Sequence, residues 1–320
     1  MISIQEETLD DLLQETYNAL LNHKVNYEAH KGVVSYEILG ASLCLKNPRS
    51  RLSSSYNKKM IFSGLGELFW YFTGDNKLDF ISHYIKRYEK YSDTNELGEK
   101  YIHGGYGPRI FGNEHLSLII SKLKKKPTTR KAVIQLFEND DLLEEYEDIP
   151  CTLTLHFIIR NNKLFLFVNM RSNDAFRGLP HDIFCFTMLQ EMVSSILGVE
   201  LGEYYHYVSS LHIYKKDLAK VISYQNEGYF IKEQMKELPP NFELSTLDKL
   251  INAEDKIRDG GHETVLKYQS EFDEYWFDIL LLLSIFNCWK KGEIQEAKML
   301  NMNMRSKAFR TYVDEKLKDV

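Results

Sequence analysis

Two linked stretches, Ile149-Pro-Cys-Thr-Leu-Thr-Leu-His156 and Met170-Arg-Ser-Asn-Asp-Ala-Phe-Arg-Gly-Leu-Pro-His-Asp-Ile183, decide how this 320-residue chain is read. From Thr152 the side chains alternate with the period of a strand. Lys163 to Met170 reads as a second strand, joined to the first by the turn pair Asn161-Asn162. Such a hairpin brings Arg171 back towards Cys151. A thiol attacks only as thiolate, and a nearby guanidinium favours that form, so Cys151 is a candidate nucleophile with Arg171 as its activator. A buried structural cysteine is the competing reading.

Composition narrows the choice. With 43% hydrophobic and 13% aromatic residues the chain can bury a sizeable core. A net charge of −6 carries no basic excess, which argues against binding a nucleic acid polymer by phosphate neutralisation. Cys44, Cys151, Cys185 and Cys288 are widely separated and show no metal spacing, so no metal and a reducing cytoplasm are expected. The acidic, amphipathic start lacks the pattern of a signal peptide. The longest apolar run, Ile279 to Phe286, is too short to span a bilayer, so no membrane role is expected.

Along the chain, helices are expected over residues 7–22, Phe62–Phe72, Asp79–Tyr91, His115–Lys126, Asp182–Leu197, Thr246–Lys256, Glu271–Lys291 and Ile294–Lys318. Strands are expected over Val33–Leu45, Arg130–Phe137, the hairpin and Tyr204–Tyr214. Gly40 interrupts its strand as a bulge would. Asp182–Leu197 is apolar all round and reads as the central buried helix. Residues 92–109 read as loop. No repeat or linker divides the chain, which reads as one α+β domain over 1–320, its motifs within 40–214 and a helical part over 246–320.

Several motifs now fall into order: Gly66-Glu-Leu-Phe-Trp-Tyr-Phe-Thr-Gly-Asp75, Tyr106-Gly107, Pro127-Thr-Thr-Arg-Lys131, Pro150-Cys151, Arg171 to Pro180, and His212-Ile-Tyr214. Together they resemble thymidylate synthase and its pyrimidine-nucleotide hydroxymethylase relatives. The resemblance implies a bent mixed sheet covered by helices, with a sheet face used for homodimerisation. It implies that Cys151 adds to carbon 6 of a pyrimidine and makes carbon 5 a nucleophile towards the one-carbon unit of 5,10-methylenetetrahydrofolate. Glu67 would organise water and move protons at the base, helped by a raised pKa within its apolar helix. Tyr106 would assist loss of the carbon 5 proton. Arg171 and Ser172 would hold phosphate together with Arg130 and Lys131 of the partner subunit. His212 and Tyr214 would contact the sugar, Asp174 the base and the folate, and Glu67 and Gly178 the folate as well. His156 stands where many synthases have glutamine and is a further substrate-binding candidate. Spacing from Gly40 places His30-Lys31 at the family's arginine loop, where either could touch phosphate.

Departures from the family pattern bear on substrate. Synthases carry Pro-Phe-Asn where this chain has Pro180-His181-Asp182. An ionised aspartate accepts from the 4-amino group of cytosine, one proton being shared with the ring nitrogen, so the sequence points to a cytidine nucleotide. Tyr88 and Tyr91 occupy the region where synthases have a tryptophan beside the exocyclic methylene intermediate. A wetter site there favours a 5-hydroxymethyl product over a methyl one. Lys131 in an Arg-Arg position, and the small Ala175, would leave room for a ribose 2′-hydroxyl. The expected activity is thus folate-dependent 5-hydroxymethylation of CMP, with dCMP next and dUMP methylation after it. A silent nucleotide-binding regulator on the same fold is the reading from another class, and the thiol, glutamate and tyrosine together argue against it.

Overall fold

The computed structural model describes residues 1–23, 25–28, 33–55, 60–228 and 234–318. In chain order the elements are β1 (Ile2–Glu6), α1 (Leu9–His23), β2 (Asn26–Glu28), β3 (Val34–Leu45), α2 (Ile61–Phe72), α3 (Leu78–Tyr84), a 3-10 segment (Lys86–Tyr91), β4 (Asp93–Thr94), β5 (Lys100–Tyr101), α4 (Gly107–Phe111), α5 (His115–Lys125), β6 (Val133–Gln135), β7 (Thr152–Arg160), β8 (Lys163–Asp174), α6 (Leu179–Leu197), β9 (Glu200–Tyr214), α7 (Leu218–Asn226), α8 (Ser245–Asp259), α9 (Glu274–Lys291), α10 (Ile294–Met302) and α11 (Lys307–Lys318). The fold is α+β, built on a mixed sheet in the order β1-β3-β9-β8-β7-β6, with β2 added on β3. β8 and β9 run parallel, so the chain must cross over between them. α6 makes that crossover and is buried almost throughout, because apolar side chains cover its whole circumference.

Irregularities in the strands shape the sheet where the site lies. Asn161 and Asn162 take positive φ of 49° and 60°, the left-handed pair that a two-residue hairpin turn requires. The β7–β8 register slips between Thr152 and Thr154, directly after Cys151. The β8–β9 register slips again between Leu164 and Leu166. There the fully buried Gln190 of α6 donates to the Leu164 and Gly202 carbonyls at 2.9 and 3.0 Å, so the slip leaves these carbonyls with a partner. Gly40 has φ +73° but inserts no residue: the register with β9 is the same on either side. The expected bulge is therefore a bend without an extra residue.

Two expected helices are broken, and β1 was not expected at all. Asp79–Tyr91 stops at Ile85 (φ −134°, ψ 83°), and the 3-10 segment that follows turns Arg87, Tyr88 and Tyr91 towards the cavity described below. Ile294–Lys318 divides because buried Asp278 of α9 accepts the backbone N–H groups of Arg305 and Ser306 at 2.9 and 2.7 Å. Those groups start α11, a tertiary cause invisible in local sequence. α9 itself is apolar and packs beneath α2 and α3. Its Phe286 ring lies 5.6 Å from Phe62 and 5.3 Å from Tyr84, whose hydroxyl donates to Glu254 of α8 at 2.5 Å. A Cβ on Gly66 would overlap the Tyr84 ring, so only glycine lets α2 lie this close to α3.

Candidate active site

Between α2, the 3-10 segment, the Cys151 loop, the end of β8, the start of α6 and the end of β9 lies a cavity of about 980 Å³. That is the upper end of the range for a single small-molecule ligand and gives room for two. Glu67, Tyr106, Cys151, Arg171 and Ser172 line it. So do Asp174, Gly178, Asp182, His212 and Tyr214, which arrive from separate elements.

Cys151 is half-buried, whereas Cys44, Cys185 and Cys288 are buried. Arg171 fastens the loop that carries it: Nε donates to Pro150 O at 2.9 Å, Nη2 to Ile149 O at 3.1 Å, and the Arg171 backbone N–H to Cys151 O at 2.9 Å. Nη1 has no partner among the described residues and is left for an anion. Burial pushes the thiol up to about 11, opposed by Arg171 and reinforced by Asp148 and Asp182. On this balance Arg171 does not by itself hold the sulfur as thiolate. Desolvation outweighs the guanidinium, which corrects the simple activator reading.

Tyr106 stands next to that loop. Its oxygen accepts from the Thr152 backbone N–H at 3.1 Å and from Thr152 Oγ1 at 2.9 Å. Burial, then the charges of Asp182 and Cys151, raise its hydroxyl well above the usual range. Glu67 projects from α2, where Oε1 accepts from the hydroxyls of Tyr88 at 2.8 Å and Tyr71 at 3.3 Å. Burial raises the Glu67 carboxyl despite both hydrogen bonds and Arg87.

Asp182 lies in the first turn of α6, only 8% exposed. Its Oδ2 accepts from Asn173 Nδ2 at 2.8 Å. Burial, with Glu67 and Asp174 adding, pushes the carboxyl well above its ordinary range against that one hydrogen bond. Burial thus favours the protonated acid, which offers one donor and one acceptor, where the sequence suggested an ionised acceptor. A Cβ on Gly178 would sit 2.9 Å from Asn173 Nδ2, so this glycine makes room for the Asn173–Asp182 contact. Asp174 Oδ1 accepts from the N–H groups of Phe176 and Arg177 at 2.9 and 3.0 Å and so shapes the turn into α6.

Four of the sequence candidates do not line the cavity. Ala175 is fully buried, its N–H bonded to His212 O at 2.8 Å, so it stands behind the cavity wall. His156 lies on the partly exposed side of β7, Nε2 meeting Arg130 O at 3.1 Å. Arg130 and Lys131 are exposed ahead of β6. His30 and Lys31 lie outside the described residues.

Asn173, Tyr71 and Asp148 line the cavity, and Thr152 stands behind it against Tyr106; motif reading gave none of the four a role. Asp148 lines the cavity beside Cys151, with its carboxyl against Gly104 where a Cβ would overlap it. The Gly104-Gly105 pair was the only local signal. Burial raises Asp148 from its ordinary 3.8 to about 6. A carboxyl raised in the folded state holds its proton more tightly there than in the unfolded chain. Stability is therefore lost as pH rises from about 4 through about 6. Asp148→Asn is expected to stabilise the protein by about 2–3 kcal/mol at neutral pH and above. Little of that gain should remain near pH 4. Urea unfolding at both pH values checks this, and an equal effect at the two contradicts it.

The thymidylate synthase family model matches residues 13–253. A deoxyuridylate hydroxymethyltransferase of Delftia phage PhiW-14 is 31% identical over 185 residues, 53% of this chain and 51% of the relative. A deoxyuridylate hydroxymethyltransferase of Bacillus phage SP01 is 30% identical over 229 residues, 66% of this chain and 59% of the relative. The chain thus spans between half and three-fifths of the length of these curated relatives.

Proposed function

Because the chain belongs to the thymidylate synthase family, we propose that it 5-hydroxymethylates a cytidine nucleotide, with 5,10-methylenetetrahydrofolate supplying the one-carbon unit. The carrying observation is that one cavity holds the Cys151 thiol, the Glu67 carboxyl and the buried Asp182 carboxyl together. As Cys151 sulfur bonds to carbon 6 and loses its proton, the ring electrons move towards carbon 5 and the ring nitrogen. Asp182 donates its proton to that nitrogen while its other oxygen accepts from the 4-amino group. Arg171, through its free Nη1, and Ser172 hold the phosphate, and His212 and Tyr214 face the sugar.

Carbon 5 bonds to the methylene carbon of the folate, and Tyr106 assists loss of the carbon 5 proton as the bond from that carbon to the folate nitrogen breaks, which releases tetrahydrofolate and leaves an exocyclic methylene on the ring. Glu67, held by Tyr71 and Tyr88, then positions water against the exocyclic methylene carbon. The water oxygen bonds to that carbon and gives up a proton, the ring nitrogen returns its proton to Asp182, and the thiolate leaves carbon 6 to restore the ring double bond. Tyrosines 88 and 91 in the cavity wall support this wetter outcome. The chain acts as one domain and as a homodimer. Phe167 stacks on Tyr205 at 4.7 Å across a partly exposed sheet face that also carries His156, and this aromatic surface supports subunit pairing. Arg130 and Lys131 then reach the partner's phosphate site.

A uridine nucleotide is the second reading. The named relatives act on deoxyuridylate by their names, and a neutral acid can also pair with the uracil edge. A panel of CMP, dCMP, UMP and dUMP with methylenetetrahydrofolate tests the proposal by product mass. Hydroxymethylated cytidine product with unoxidised tetrahydrofolate is expected. A methyl product with dihydrofolate, or turnover confined to uridine nucleotides, overturns it. Among the described residues no helix is long and apolar enough to cross a membrane, and a cytoplasmic setting completes the proposal.

A further inference from the structure

We propose that Tyr204, His206 and Asn173 form a buried positioning relay that determines base specificity by fixing which Asp182 oxygen is held by the protein and which faces the ligand. The inference rests on the reading of Asp182 as the base-selecting group. Three contacts build the relay. The Tyr204 hydroxyl lies 2.8 Å from His206 Nδ1, His206 Nε2 lies 3.1 Å from Asn173 Oδ1, and Asn173 Nδ2 lies 2.8 Å from Asp182 Oδ2. Tyr204 and His206 are fully buried, and Asn173 is 4% exposed.

The direction of every hydrogen bond follows from the far end. His206 Nδ1 is the one hydrogen-bond partner of the Tyr204 hydroxyl among the described residues, so its proton must be donated there or be buried without an acceptor. Nδ1 is then an acceptor. Burial pushes the imidazole down to about 3, so the ring is neutral and its single proton sits on Nε2. Nε2–H donates to Asn173 Oδ1, which leaves Asn173 Nδ2 to donate to Asp182 Oδ2. The amide cannot turn over without facing one donor with another. Oδ2 is thereby fixed as an acceptor, and the acid proton belongs on Oδ1, which has no protein partner among the described residues.

The ligand consequently meets a donor and an acceptor in a set order along one edge. If the relay is cut, Asn173 can present its carbonyl to Asp182, which moves the proton to Oδ2 and reverses that order. None of the three residues need touch the nucleotide for this to happen, so their effect falls on discrimination and not on binding in general.

The test measures binding of CMP and UMP by calorimetry, and kcat/KM for each, in the unaltered protein and in Asp182→Asn, Tyr204→Phe and His206→Phe. Tyr204→Phe removes only one oxygen and guards against loss of folding in the larger change. Both relay variants are expected to lower the CMP:UMP ratio by at least about tenfold. The 15N shifts of His206 are expected to show an unprotonated Nδ1. If Asp182→Asn leaves the ratio unchanged, the base-selecting reading itself fails. If Asp182→Asn shifts the ratio while Tyr204→Phe and His206→Phe weaken both nucleotides equally or not at all, the relay is refuted. An Nδ1–H tautomer also refutes it.

Discussion

Replacing Cys151 with alanine is expected to cut turnover, and exchange of the carbon 5 hydrogen, by about four orders of magnitude or more. Both depend on a covalent bond to carbon 6 that no other group can form. The other three thiols are buried and outside the cavity: Cys185 points at the Gly64 carbonyl, and Cys44 lies against Glu203. Nucleotide affinity should change little. Arg171 holds the loop through the carbonyls of Ile149, Pro150 and Cys151, and none of these contacts uses the sulfur. Tritium release from labelled CMP separates the two quantities. Exchange within about tenfold of the unaltered protein would remove Cys151 from the chemistry.

Asp182→Asn is expected to move the kcat/KM ratio from cytidine towards uridine nucleotides by about a hundredfold. The acid and an amide are nearly the same shape, so the change is one of proton donation and not of volume. Asn173 donates to the position of Oδ2. The new amide must therefore place its carbonyl there and turn its NH2 towards the cavity. That repeats the order of the acid but withholds its proton: an amide cannot protonate the ring nitrogen of cytosine as carbon 6 takes up sulfur, so turnover of cytidine nucleotides falls relative to uridine ones. The substitution also removes a buried acid, so the expected switch should persist across neutral pH. Steady-state kinetics with both nucleotides decides it, and an unchanged ratio would show that Asp182 does not read the base.

The hairpin, the long β9 strand and the central α6 were legible because their apolar spacing is regular and extends over many residues. β1 was not, since Ile2 and Ile4 within five residues look no different from the amphipathic segment that follows. The eight-residue strand expected over Arg130–Phe137 shrinks to Val133–Gln135: the Leu136 and Phe137 N–H groups both turn to Leu153 O beside the slip in β7. The family resemblance singled out Cys151, Glu67, Tyr106 and Asp182, and the structure brings all four to one cavity. The state of those groups was not legible. Whether Cys151 and Asp182 are charged depends on how much of the fold closes over each. Nor could spacing reveal that Asn173 meets His206, 33 residues away, through a side-chain contact.

The family match ends at residue 253, inside α8, which continues to Asp259. The very next residue, Glu254, takes the Tyr84 hydroxyl, and Tyr84 lies over Gly66, the neighbour of Glu67. Shared ancestry and physical interdependence thus have different borders in this chain. Drift in Phe286 or Glu254, positions with no counterpart in the matched region, is felt within one residue of the glutamate on which the proposed chemistry depends.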